Sequence, residues 1–158
     1  MSAPTVTDVS FLLSHAGHVL STQMTAAFEE LGISPRGFCV LNHASQAELT
    51  QNQLAELSDL DKTTMVVTLD ALENAGLAER RPSATDRRAR IVWVTEAGRA
   101  AVEQGRRIST GVHRAVLDAL PEAERETFVS ALTRLVGGHL AKPVESATPV
   151  RRARRPQK

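Results

Sequence analysis

The 158-residue chain has one cysteine, no tyrosine, and aromatic residues at only 3% of its positions. A single thiol, Cys39, excludes an intramolecular disulfide framework and fits a reducing, cytoplasmic setting. So few rings argue against grips on single-stranded nucleic acid that stack bases on side chains. No run approaches the roughly 18 apolar residues of a membrane span, and residues 1–8 lack the basic start and apolar run of a secretory signal. A Gly-rich phosphate loop, HExxH and GxSxG are all missing, so the reading is of a non-enzyme without a cofactor. His15 and His18 stand three apart but lack the nearby cysteine or acid that would complete a metal site, and no metal is expected.

The net charge of +1 conceals a strong partition. Residues 1–140 hold 13 Lys and Arg against 17 Asp and Glu, whereas residues 141–158 hold 6 against 1. Within the acidic body, Arg80, Arg81, Arg87, Arg88 and Arg90 crowd into a dozen positions. Such focusing is the footprint of phosphate contact, although a solvated arginine face gives the same pattern.

Periodicity predicts a mainly helical chain. After a frayed start at residues 1–7, apolar residues from Val9 to Leu31 keep helical spacing but cover more than one stripe, so this helix meets two surfaces. Ser34-Pro35 opens a second helix, with serine as cap and proline first. Phe38, Val40 and Leu41 supply core, and Cys39 among them reads as a small buried hydrophobe. Thr50 caps a short helix over residues 51–58, and Asp59-Leu60 forms a tight turn in which aspartate tolerates a left-handed backbone. Asp61 then caps a helix carrying Met65, Thr68, Leu69 and Leu72 on one face, with Gly76 past its end. The period next changes to two short strands, residues 77–81 and 90–94, around Pro82-Ser83-Ala84-Thr85-Asp86. Thr95 caps a long helix to about Leu120, where Gly98, Gly105 and Gly111 mark either bends or close contacts. Pro121 opens the last helix, with Phe128, Val129, Leu132, Leu135 and Val136 as its stripe. Residues 141–158, rich in proline and arginine, read as a disordered basic tail.

A short helix, a tight turn, a second helix and an Arg-rich hairpin make a winged helix-turn-helix. The run from Leu54 to Gly98 resembles that of the MarR-type bacterial transcription regulators. The resemblance rests on Leu54-Ala55-Glu56, on Asp61 with Thr63 and Thr64, and on Leu72-Glu73 through Gly76-Leu77. Asp86 with Arg88, and Val94-Thr95 through Gly98, complete it in order and at family spacing. It implies one domain over residues 1–140 with a winged helix-turn-helix at about 34–95. Helices at about 8–31 and 95–140 form a dimerisation layer, and residues 141–158 are a tail. The partners implied are double-stranded DNA, a second copy of the chain and a small-molecule effector, with no membrane. A homodimer would set two recognition helices in successive major grooves of a near-palindromic operator, usually as a repressor.

Residue roles follow the motifs. Thr63 and Thr64 either contact DNA or only cap the helix, and Lys62 is placed for phosphate. Thr50 and Gln51, opening the preceding helix, join the contact set. Arg88 resembles the wing arginine that enters the minor groove, and Asp86 is expected to orient the arginine cluster through a charged hydrogen bond. Arg87 and Arg90 are phosphate contacts or solvated bystanders. Val66 and Val67 depart from the polar residues of many relatives. They fit either contact with thymine methyls or a less specific reader. His15, His18 and Phe38 lie on helices that would wall the effector pocket. The alternatives are a redox-sensing regulator working through Cys39 and a nucleic-acid or protein interaction module driven by the tail.

Overall fold

The computed structural model describes residues 8–144. The start expected to fray, residues 1–7, and most of the expected basic tail, residues 145–158, lie outside the described residues. The chain divides into two units, Met1–Ala115 and Val116–Lys158. Among the described residues no helix is long and apolar enough to cross a membrane.

The first unit begins with α1 (Asp8–Phe28), which tightens into a single 3-10 turn at Glu29–Leu31 and stops at Gly32. It continues through α2 (Pro35–Ala44), α3 (Gln51–Leu57), α4 (Lys62–Asn74), β1 (Ala78–Pro82), β2 (Arg90–Val94) and most of α5 (Glu96–Asp118). Each start has a local chemical cause. Ser34 accepts the Gly37 N–H at 3.0 Å, with Pro35 first in its helix. The Thr95 hydroxyl accepts the Gly98 N–H at 3.0 Å and donates to the Gly76 carbonyl at 2.8 Å, so one side chain caps α5 and ties it to the end of the preceding helix-to-strand turn. The strands pair antiparallel, with Ala78 opposite Val94 and Arg80 opposite Val92. β2 spans the expected residues, whereas β1 lies one residue later than the sequence suggested, because its pairing with β2 runs from Ala78 opposite Val94 to Pro82 opposite Arg90.

The core lies where these elements meet. Val40 and Leu41 of α2, Leu54 of α3, Met65, Leu69 and Leu72 of α4, Val92 and Val94 of β2 and Val102 of α5 are buried together. Truncating one of these large side chains to alanine costs about 2–5 kcal/mol in a typical core. The buried face of α5 is built from small residues that the apolar stripe did not reveal: Gly98, Ala101 and Gly105 beside Val102. A Cβ at Gly98 would strike the Leu77 carbonyl, and one at Gly105 would strike the Phe38 ring. Both are therefore close-contact glycines, whereas a Cβ at Gly111 would meet nothing within 4 Å. Cys39 corrects its expectation, being half-buried beside the core instead of inside it.

α1 contrasts with this core. Only Phe28 of it is buried, and Val9, Phe11, Leu12 and Leu13 stand 41–66% exposed. The second unit contains α6 (Glu122–Val136), which has no buried residue. Phe128, Val129, Leu135 and Val136 are all at least 40% exposed. Pro121 sits at the N-cap of α6, one position before the first helical residue expected for it. Arg125 ties the start of this unit together, pairing with Asp118 at 3.0 Å and donating to the Leu120 carbonyl.

Candidate nucleic-acid interface

The helix-turn-helix is set by three short-range devices. At α3 the Thr50 hydroxyl accepts the Gln53 N–H, and the Gln53 side chain accepts the Thr50 N–H at 2.9 Å, a reciprocal capping box. In the turn, Asp59 takes φ 52, the left-handed backbone foreseen for it. At α4 the Asp61 carboxylate accepts the Thr64 N–H at 2.8 Å and the Thr64 hydroxyl at 2.7 Å. The Thr64 hydroxyl, followed by its backbone N–H, holds the Asp61 carboxyl below the ordinary carboxylate range. Thr64 is thus occupied in the cap, while Thr63 and Lys62 stand exposed beside it.

Burial divides α4 into two faces. Met65, Thr68, Leu69 and Leu72 point into the core, and the Thr68 hydroxyl is satisfied by the Thr64 carbonyl at 2.7 Å. The opposite face presents Lys62, Thr63, Val66 and Val67, with Val67 63% exposed. Two adjacent exposed valines offer methyl groups where most surface helices offer charge.

β2 is anchored on its free edge by the Val92 N–H, which donates to the Leu49 carbonyl at 3.0 Å, and by a bridge between Thr50 and Ile91. The start of α3 is therefore fastened to the wing. The wing tip closes on its own polar residues. Ser83 N–H donates to the Ala89 carbonyl at 2.9 Å, and the Ser83 hydroxyl accepts the Thr85 and Asp86 N–H groups. Asp86 corrects its expectation. Its carboxylate accepts the backbone N–H of Arg88 at 2.9 Å, so it shapes the turn and leaves the guanidinium groups alone.

The five arginines separate into two sets. Arg80 is held by α4: its backbone N–H and Nε donate to Glu73 at 2.7 and 2.9 Å, and its Nη2 reaches both Glu73 and Asp70. Arg81 pairs with Glu79 and lies over the Trp93 ring at 4.8 Å, with Arg99 at 5.7 Å from the same ring. Arg87, Arg88 and Arg90 are exposed, and none of them forms an ion pair among the described residues.

Residues 31–89 match the sequence model of the MarR family. Over those residues the winged helix-turn-helix of this chain is similar to that of the MarR family. The matched span contains every proposed DNA-contact residue except Arg90. Solved structures with the same fold include a probable transcriptional regulator from Pseudomonas aeruginosa, 27% identical with a TM-score of 0.74, over 80% of this chain and 96% of that one. CouR from Rhodococcus jostii RHA1, bound to p-coumaroyl-CoA, is 24% identical with a TM-score of 0.74, over 90% and 100%. Staphylococcus aureus MepR in complex with DNA is 24% identical with a TM-score of 0.73, over 81% and 96%.

The three residues assigned to an effector pocket are not gathered at one place. His15 and His18 are exposed on α1, and the His15 ring stacks on Phe11 at 5.5 Å. Phe38 packs on Phe28 at 5.2 Å and against Gly105 of α5. Phe28 is ten residues beyond His18, roughly 15 Å along the helix. Among the described residues no group of three or more His, Cys, Asp or Glu could hold a metal ion. Two features of the wing escaped sequence reasoning, the anchoring of Arg80 and the pairing of Arg81 and Arg99 with Trp93. A signal for the first existed: Asp70 and Glu73 lie three apart on α4, on one helical face.

Proposed function

We propose that the chain is a double-stranded DNA-binding transcriptional regulator that acts as a homodimer on a near-palindromic operator and is released by a small-molecule effector. The observation that carries the reading is the pairing, on one winged unit, of an exposed α4 face with a hairpin tip whose three arginines meet no carboxylate among the described residues. The helix face suits the major groove: Lys62 for phosphate, Thr63 for phosphate or base edges, Val66 and Val67 for thymine methyls. Thr50 and Gln51 at the start of α3 lie toward the wing through the Thr50–Ile91 bridge. The tip suits the minor groove, with Arg88 inserted and Arg87 and Arg90 on the backbone.

MepR, solved with DNA, and CouR, solved with p-coumaroyl-CoA, share the fold, and a fold that serves both kinds of complex supports the reading. The apolar faces of α1 and α6 support the dimer. Each helix exposes apolar side chains, leucine, phenylalanine and valine, of the kind that a second copy covers. A second reading, redox sensing through Cys39, is favoured only by the partial exposure of that thiol.

The test is binding of the purified protein to duplex DNA from its own upstream region, beside a scrambled duplex. One dimer per site with a preference of at least about a thousandfold is expected, the lower end of the range of specific over non-specific binding. Equal affinity for both duplexes contradicts the regulator reading.

A further inference from the structure

The two surfaces assigned to DNA sit on separate elements, and a two-stranded hairpin is at best marginally stable by itself. What fixes the hairpin against α4 therefore decides whether both surfaces meet one duplex together. We propose that Arg80 is a positioning residue that locks the wing to the recognition helix and so sets the separation at which the two elements read adjacent grooves. This rests on the DNA-binding reading given above.

The geometry is that of a clamp. One Glu73 carboxylate takes the backbone N–H of Arg80 on one oxygen and its Nε on the other, at 2.7 and 2.9 Å. Nη2 turns to Asp70, one helical turn earlier. A planar guanidinium held at two edges fixes an angle as well as a distance, which a lysine ammonium cannot do. Both carboxylates belong to the C-terminal half of α4, so the clamp grips the helix without touching its exposed Lys62–Val67 segment. On the other edge of the hairpin, β2 is held to Leu49 and Thr50. The hairpin is thus fastened on both sides, and Arg80 is the fastening on the β1 side.

Two observations separate positioning from other roles. The side chains of Arg80, Glu73 and Asp70 are 25%, 29% and 51% exposed, so solvent screens the cluster and the apolar core carries the fold. Two carboxylates also surround the Arg80 charge, so the guanidinium is engaged within the protein, and its removal weakens attraction for phosphate only through the one unit of charge lost, alike on any duplex.

The experiment uses the full chain and compares Arg80→Met, Arg80→Lys and Glu73→Gln with the wild type. Residual dipolar couplings of the DNA-free protein report whether α4 and the β1–β2 hairpin share one alignment tensor. Affinities for the upstream and scrambled duplexes report specificity. The wild type should fit one tensor. In Arg80→Met the hairpin couplings should depart from it, and preference for the upstream duplex should fall about tenfold, the size of one mismatched base pair. Affinity for the scrambled duplex should fall by less, only through the one positive charge removed. Arg80→Lys should recover part of the preference, and Glu73→Gln, which keeps an acceptor for the backbone N–H, should fall between. If Arg80→Met does not fold, the latter two variants carry the test. A single tensor and an undiminished preference in the variants overturn the proposal. So does an equal loss on both duplexes with one tensor, which would make Arg80 a phosphate contact. A wild type without preference contradicts the regulator reading instead, and the couplings still decide whether Arg80 holds the hairpin.

Discussion

Arg80 and Arg81 at the root of the hairpin, and Arg87, Arg88 and Arg90 at its tip, belong to one basic cluster in the sequence but to two environments in the fold. The root pair is matched by Asp70, Glu73 and Glu79, and the Arg81 guanidinium lies over the Trp93 ring. The tip set projects from a turn closed by Ser83 and Asp86 and meets no carboxylate among the described residues. Clustered charge in a sequence therefore overstates the charge offered to a ligand. What counts is the part left after the fold has used its own acids. In this wing the root supplies geometry and the tip supplies potential.

Substitutions that exchange those roles test the distinction. The largest effect is expected from Arg87→Ala, Arg88→Ala and Arg90→Ala combined. Loss of roughly a hundredfold or more in affinity for the upstream duplex is expected, at about 1 kcal/mol or more for each arginine that touches DNA. Thermal stability should be unchanged within about 0.5 kcal/mol, as for surface changes away from packing or caps. Fluorescence anisotropy and thermal unfolding measure the two. Asp86→Ala should be milder. It removes the acceptor for the Arg88 N–H and loosens the tip, so affinity should fall a few-fold and the Arg88 amide should exchange faster with solvent.

The smallest effect is one of pH. Hydrogen bonding from the Arg80 guanidinium holds the Glu73 carboxyl below the ordinary carboxylate range, and the same contacts, with Asp70, raise the arginine further above its usual value. A depressed carboxylate stabilises the fold above its unfolded pKa and loses that contribution as pH falls through the folded one. The root clamp should therefore be intact at neutral pH and weaken only as pH falls below the range in which an unfolded glutamate titrates. A carbon-13 titration of the Glu73 carboxyl with a midpoint at or above that of an unfolded glutamate would contradict it.

How far the sequence reached follows from the range of each interaction. Caps at Ser34, Thr50, Asp61 and Thr95 were legible because they act over three residues of chain, and the left-handed turn at Asp59 because it follows from one side chain. The winged arrangement was legible from a change of period. Contacts made across the fold were not. The start of β1 was misplaced by one residue because pairing with β2 decides it. Phe38 seated on Gly105 looks in the sequence like an unexplained helical glycine. The partial exposure of Cys39 and the division of the arginines into root and tip depend on which elements pack together, and no local pattern encodes that. Of the proposed interface, the exposure of Val66 and Val67 was legible from the helical period, and the turn-building role of Asp86 was not.

The most direct test of the account is the salt dependence of affinity for the upstream duplex, wild type beside the triple tip variant. Each phosphate that the protein neutralises adds about 0.9 to the slope of log affinity against log salt. The account predicts a steep slope for the wild type and a clearly shallower one for the tip variant, reduced by about 0.9 for each phosphate that the missing arginines had neutralised. Parallel slopes would contradict it, because the tip arginines would then be solvated charges and the wing would not touch the DNA backbone.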